Sequence, residues 1–220
     1  MNVSEAMERR ISVRAFKADP VEGGVVREIL ETASRAPSGG NLQPWRVYAV
    51  AGEALARFKA LVAATPMEEP EYAVYPPKLW EPFRTRRYRC GEDLYGAIGV
   101  GREDRAARFA QLAKNLDFFG APVGLFFCLD RHLGPPQWAD VGMYMQSVML
   151  LAVERGLDTC PQEFWARYPR TVADFIGLPD DHMVFSGMAL GWRDEAHPIN
   201  AWRTRRDLFE AWCEMKGFDD

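Results

Sequence analysis

Arg9, Arg10, Ser12 and Arg14 fall within six residues in the N-terminal run Arg9-Arg10-Ile11-Ser12-Val13-Arg14-Ala15-Phe16. Guanidinium forks give paired, charge-assisted hydrogen bonds, so this donor density suits a phosphate and a polyol better than it suits a core. A second segment, Pro37-Ser38-Gly39-Gly40-Asn41-Leu42-Gln43-Pro44-Trp45, is a glycine-punctuated loop that leads into an aromatic stretch. Its glycines can take positive φ and bring backbone N–H groups close to a ligand, while Ser38, Asn41 and Gln43 add side-chain donors and acceptors. Alone, Gly39-Gly40 is a common turn and an arginine-rich segment is a common solvated helix end. Occurring together, the two segments look like two halves of one ligand site, while the basic run Arg203 to Arg206 by itself reads as a solvated face or tail.

The framework around these residues is an ordinary globular one. A chain of 220 residues and 25.0 kDa with 48% hydrophobic residues is expected to form one well-buried domain over residues 1–220. The net charge of −4 and pI near 5.5 give no general attraction to nucleic acid or to an anionic membrane, so each basic cluster has a local reason. Cys90, Cys128, Cys160 and Cys213 are widely spread and form no C-x-x-C pair, which reads as four reduced thiols and no metal site. No apolar run reaches the roughly 20 residues of a bilayer span, and no leader pattern opens the chain, so the expected location is the cytoplasm.

Periodicity predicts the elements that position the motifs. Ser4 is expected to cap a short helix to about Arg9, and Val21–Ser34 and Glu53–Ala64 have helical spacing. Trp45–Val50, Pro122–Asp130 and His182–Leu190 read as strands, and Asp104–Asp117 and Thr171–Ile176 as helices. Gln137–Arg155, whose apolar core runs from Val141 to Val153, reads as a long buried helix. Thr65–Arg89 holds prolines at 66, 70, 76, 77 and 82 and cannot be one regular element, so 65–100 is expected to be an insertion or lid. The fold class that follows is α+β, a three-layer-like sandwich with a small mixed, mainly antiparallel sheet flanked by helices.

Arg-x-Ser-x-Arg-x-Phe followed by Ala-Pro-Ser-x-x-Asn-x-Gln-Pro-Trp, at this separation, resembles the nitroreductase family of FMN-dependent oxidoreductases. Gly187-Met188-Ala189-Leu190-Gly191-Trp192 is similar to that family's last core strand, and Asn200-Ala201-Trp202-Arg203-Thr204-Arg205 to its basic tail. The resemblance implies that Arg10, Ile11, Ser12 and Arg14 hold the FMN phosphate, ribityl chain and pyrimidine edge, with Arg203 and Arg205 returning to the same phosphate. It implies that Pro37, Ser38, Gly39 and Asn41 face the flavin across a homodimer interface built on the long central helix. It further places Pro161, Gln162 and Glu163 at the isoalloxazine edge and Asn115 at its pyrimidine end. Phe164 stands where the family often has glycine. No side chain is expected to be catalytic, because the flavin carries the chemistry.

The resemblance thus implies an FMN enzyme that uses NADPH or NADH to reduce a small electron acceptor, such as a nitroaromatic or a quinone, by a ping-pong cycle. A reductive dehalogenase, a flavin-consuming enzyme and a flavin-binding module without turnover are alternatives on the same scaffold. The run Arg84-Thr85-Arg86-Arg87-Tyr88-Arg89 superficially suits nucleic acid, but Glu68, Glu69, Glu71 and Glu81 share its segment, so a helical lid with internal ion pairs is the expectation. Its aromatics are expected to stack on a planar substrate, while an arginine takes an acidic or nitro group, or the phosphate of NADPH.

Overall fold

Four strands form a single sheet: Arg46–Ala51 (β1), Val123–Asp130 (β2), Asp158–Gln162 (β3) and His182–Gly191 (β4), in the order β1-β2-β4-β3. This is a computed structural model, and it describes residues 1–218; the last two residues of the expected domain lie outside the described residues. Each strand pair is antiparallel, with Val47 opposite Phe127, Leu125 opposite Met188 and Thr159 opposite Leu190. The mixed character comes from one isolated parallel bridge, Ser12 to Thr159, which adds the N-terminal segment to the outer edge of β3. Central strand β2 shows no polar alternation because both of its faces are covered, and only Asp130 at its end reaches partial exposure.

Seven α-helices are present among the described residues: Val3–Arg9 (α1), Gly23–Ala33 (α2), Gly52–Ala63 (α3), Phe83–Ala97 (α4), Arg105–Ala113 (α5), Pro135–Glu154 (α6) and Pro169–Ile176 (α7). One sheet face buries Phe58 of α3 and Val172 of α7 with Phe118, Phe126 and Trp165. The other buries Val26 and Ile29 of α2 and Val141, Tyr144 and Val148 of α6 with Leu125 and Phe127. Helix, sheet and helix layers result, as the three-layer expectation has it. Pro135 and Pro136 pre-set the first turn of α6, where their missing N–H groups cost nothing.

Several local expectations are corrected. Asn2, not Ser4, caps α1: its Oδ1 accepts from Glu5 N–H at 2.9 Å and Glu5 Oε2 accepts from Asn2 N–H at 2.9 Å, a reciprocal capping box. The helix expected to Asp117 stops at Ala113 and continues as 3₁₀ turns to Gly120, because Phe118 and Phe119 adopt φ of 50° and 56°. Such φ values are strained for bulky residues, and here burial holds them: Phe118 stacks on Trp165 at 4.7 Å. Asp158–Gln162, for which no strand was expected, are strand β3; Asp158 and Pro161 have poor strand propensity, and pairing with β4 overrides it.

The proline-rich region is two things. Residues 64–82 are an irregular strap, and α4 begins immediately after Pro82, which sits at its N-cap, so the prolines exclude helix only up to that point. Of the acids expected to neutralise the arginines within the segment, Glu81 does so by pairing with Arg84 at 2.7 Å. Glu68 and Glu71 instead bolt the strap to the body. The Glu68 carboxylate accepts from Arg170 N–H at 2.8 Å and Thr171 Oγ1 at 2.7 Å at the start of α7, and Glu71 pairs with Arg131 at 3.3 Å. Tyr72 O–H donates to the Phe185 carbonyl. No residue of α4 is buried.

Candidate functional site

Residues 10–16 run extended beside β3, and the extended period places alternate side chains on opposite sides. Val13 is fully buried in the core and Ile11 packs partly against it, so Arg10, Ser12 and Arg14 share the other side. Three bonds lock this segment. Val13 N–H donates to Thr159 O at 3.0 Å, Phe16 N–H to Phe119 O at 3.1 Å and Lys17 N–H to Trp192 O at 2.8 Å. The strained Phe118-Phe119 turn therefore helps to hold the arginine row.

Asn200, which sequence reasoning treated only as part of the basic tail, is the clamp between that row and the C-terminus. Its Oδ1 accepts from Arg14 N–H at 2.9 Å, while its amide donates to the carbonyls of Ala15 and Asp194, each at 2.8 Å. Asn200 is buried with its amide fully used, and it sets the position from which Arg203 and Arg206 depart. The Arg10 guanidinium is held below its ordinary pKa, first by burial and then by the charges of Arg206 and Arg203. Among the described residues, no carboxylate pairs with Arg10, Arg14, Arg203 or Arg206. Arg205 meets Asp93 of α4 at 3.5 Å. Arg206, not singled out from the sequence, is the tail residue whose charge is felt most by Arg10.

The glycine loop stands against α6. Gly39 N–H donates to Asp140 Oδ2 at 3.2 Å, and Asp140 is a buried acid inside the helix. Gln43 N–H donates to Ser38 Oγ at 3.0 Å, and the Gln43 amide to Asn41 O at 3.1 Å. Gly40, Asn41 and Gln43 have φ of 57°, 58° and 49°, so the loop is ordered in a conformation that glycine and asparagine tolerate best. Pro37, Gly39 and Asn41 nonetheless remain exposed. Trp45 anchors its end by stacking on Tyr144 of α6 at 4.8 Å.

The end of β3 gathers the remaining candidates. Gln162 is buried, and its amide is spent internally: Nε2 donates to Asn115 O at 3.0 Å and Oδ1 at 3.1 Å, and Oε1 accepts from Trp165 Nε1 at 3.2 Å. Asn115 donates in turn to Leu112 O at 2.8 Å. Gln162 and Asn115 are thus brought together, as a brace between β3 and the 3₁₀ turns, and their side-chain groups are already engaged with protein. Pro161 is partly exposed and Glu163 stands at the rim, where burial of its carboxyl raises the pKa. Phe164 packs edge-on against Trp165 at 5.8 Å. Gly187 of β4 is required behind this turn, because a Cβ there would lie 2.2 Å from Trp165 Cδ1.

A family model described as "Nitroreductase family" matches residues 7–192. The chain belongs to the nitroreductase family. It is 37% identical over 213 residues to a 4-nitrobenzoate reductase of Pseudomonas putida, covering 96% of this chain and 93% of that one. It is 39% identical over 203 residues to a nitrobenzene nitroreductase of Ectopseudomonas oleovorans, covering 90% and 89%. Among solved structures, the FMN- and NADPH-dependent nitroreductase NfnB from Sphigopyxis sp. strain HMH is similar at 47% identity and a TM-score of 0.95, covering 99% of this chain and 100% of that one. NfnB from Mycobacterium smegmatis, solved in complex with NADPH, is similar at 29% identity and a TM-score of 0.88, covering 98% and 100%.

Within this nitroreductase fold, Asp140, Arg206 and Thr159 stand at the site without any signal in the sequence motifs. Asp140 lies in an apolar helix and Arg206 in a basic run, so spacing alone carried no signal for either. The Thr159 hydroxyl, across the bridge from Ser12, is buried without a hydrogen-bond partner, which marks it as an unmet polar group beside the arginine row.

Proposed function

We propose that this chain is an FMN-dependent NAD(P)H oxidoreductase that reduces nitroaromatic and related electron-poor acceptors. The observation that carries the proposal is the unmatched guanidinium cluster of Arg10, Arg203 and Arg206, beside Arg14. Arg10 is partly buried while Arg203 and Arg206 are exposed; like charges gathered without a carboxylate repel one another, a phosphate dianion would relieve this, and several forks arriving from different directions suit its oxygens. The donor set fits FMN: Arg10, Arg14, Arg203 and Arg206 would hold the phosphate, with Ser12 beside them for the polyol. The backbone of Pro161 to Glu163 would approach the ring system. Bound FMN would supply hydride acceptance and donation.

The protein's own part is to bind, orient and exclude. Both ends of the site rest on braced backbone, through Asn200 at the arginine row and the Gln162–Asn115 pair at β3. An acceptor and a nicotinamide would use one open face in turn, giving a ping-pong cycle. In the first pass a nitro group takes a hydride and one proton, loses water and becomes nitroso; NADPH supplies the hydride and solvent the proton. No side-chain acid is needed. Glu163 follows the end of β3, and burial raises the pKa of its carboxyl.

The functional unit is proposed to be a homodimer with its sites at the interface. Support comes from the apolar surface around α1 and α6: Val3, Met7 and Met143 are exposed, Leu42 of the glycine loop is 58% exposed, and α1 lies against α6. A surface of this kind, continuous with a pre-ordered loop, suits a partner copy. The strap and α4 are proposed as the lid. Steady-state kinetics with a nitroaromatic test the proposal: parallel double-reciprocal lines for NADPH and acceptor are expected, and flavin-loaded dimer without turnover on any acceptor would leave only the binding-module alternative.

A further inference from the structure

Asp140 is a 5% exposed carboxylate in α6, next to Val141 and one turn before Tyr144, both of which pack in the core. A buried carboxylate is costly unless a counter-ion or hydrogen bonds offset its lost hydration. Among the described residues no cation pairs with it, and the single hydrogen bond it makes is accepted from Gly39 N–H at 3.2 Å. The helix field does little for it, because Asp140 is the sixth residue of α6 and that field fades beyond the first turn. A valine or leucine there would be buried without such a cost. The acid is explained by what it holds, which is the start of the glycine loop.

We propose that Asp140 is a positioning residue for the flavin: through Gly39 N–H it keeps the glycine loop in the conformation that receives the cofactor. The inference rests on the proposed oxidoreductase function. The loop needs such a hold, since Gly40, Asn41 and Gln43 are all left-handed, and asparagine and glutamine keep that conformation only where their surroundings impose it. The bonds from Asn41 N–H to Ser38 O at 2.9 Å, Leu42 N–H to Gly39 O at 3.1 Å and Gln43 N–H to Ser38 Oγ at 3.0 Å tie the loop to itself. Two residues on one face of α6 tie it to the body. Asp140 takes Gly39 at the start, and Tyr144 stacks on Trp45 at the end, at 4.8 Å, while its own O–H donates to Leu30 O at 3.0 Å. One rigid helix thus sets both ends of residues 39–45, although Gly39 and Asn41 themselves stay exposed. A loop already ordered gives up less freedom when the cofactor arrives, so the hold is read out as flavin affinity.

The experiment compares wild type with Asp140→Ala and Asp140→Leu, which remove the acceptor, and with Asp140→Asn, which keeps an acceptor oxygen at nearly the same volume. Asp140→Leu fills the space, so the test stands even where Asp140→Ala fails to fold. FMN affinity is read by fluorescence quenching, and amide hydrogen exchange is followed in the flavin-free and flavin-loaded proteins. The two variants without an acceptor should lose about tenfold in FMN affinity, and Asp140→Asn less than about threefold. Exchange should quicken in residues 38–43 of the variants without an acceptor, stay slow there in Asp140→Asn, and be unchanged in β2 and β4 of all three. Excess FMN should restore kcat, which a general structural defect would not allow. Unchanged FMN affinity without the acceptor, an equal loss in Asp140→Asn, or a loss with exchange in residues 38–43 unaltered overturns the inference. Wild type that binds no FMN would sink the oxidoreductase function and this inference together, whereas wild type that binds FMN beside variants that bind it equally well would sink the inference alone.

Discussion

Arg10→Ala separates a phosphate site from a solvated basic patch, because the two give opposite signs. In the free protein the Arg10 guanidinium is partly buried, faces Arg206 and Arg203, and pairs with no carboxylate among the described residues. Its removal takes away a like charge and a desolvation cost, so the flavin-free protein should hold its stability or gain, by up to about 1 kcal/mol at this half-exposed position. With FMN bound, the same change removes a charge-assisted contact of about 1.5 to 3 kcal/mol, which is roughly ten- to a hundredfold in Kd. Arg10→Lys keeps the charge and loses the fork, and should fall between the two. Urea unfolding of flavin-free protein and titration of FMN by fluorescence quenching read the two quantities separately. Raising salt should shrink the difference in FMN affinity. An unchanged FMN affinity in Arg10→Ala, or a flavin-free protein destabilised by more than about 2 kcal/mol, would refute the reasoning.

Other residues give independent tests. Gly187→Ala should cost about 1 to 3 kcal/mol, since its Cβ would sit 2.2 Å from Trp165 Cδ1 and push the Gln162–Trp165 pair apart; thermal unfolding with flavin content as second readout checks both effects. Glu68→Ala should free the strap by removing the acceptor of Arg170 N–H and Thr171 Oγ1, at about 1 to 2 kcal/mol by analogy with a lost N-cap, and hydrogen exchange should rise in residues 64–82 before the sheet is affected. Glu163 has a folded pKa raised by burial, so the native state holds its proton more tightly and its contribution to stability falls as pH rises from the unfolded glutamate value through the raised one. Glu163→Gln should therefore gain in melting temperature at neutral pH, and the gain should vanish below the ordinary glutamate range; a gain independent of pH would show that the carboxyl charge is not the cause.

Strands β2 and β4 and helices α2, α3 and α6 were legible because their apolar residues follow the burial the fold gives them, and β1 because it is rich in β-branched and aromatic residues. Strand β3 was not, since Asp158 and Pro161 disfavour strand and only the β4 edge imposes it. Helix α4 was hidden by prolines that stop just before it, and by a sequence so polar that no face is apolar. At the candidate site, Arg10, Ser12 and Arg14 stood out in the sequence by their donor density and motif spacing, and the extended chain puts these alternate residues on one side. Asn200, Asp140 and Arg206 depend on contacts across more than a hundred residues of chain, such as Asn200 to Arg14 and Gly39 to Asp140, and no local spacing encodes those. Asn115 and Gln162 fall between the two cases: their neighbourhood was anticipated, while their engagement with each other needed the fold.

In the proposed function, this arginine-lined site carries a flavin through which a nicotinamide reduces a nitro group. Anaerobic titration of the FMN-reconstituted protein with NADPH, followed by a nitroaromatic, tests it most directly. About one equivalent of NADPH should bleach the visible flavin absorbance, and the acceptor should restore it. Protein that stays colourless after reconstitution, or a flavin that NADPH does not bleach, would contradict it.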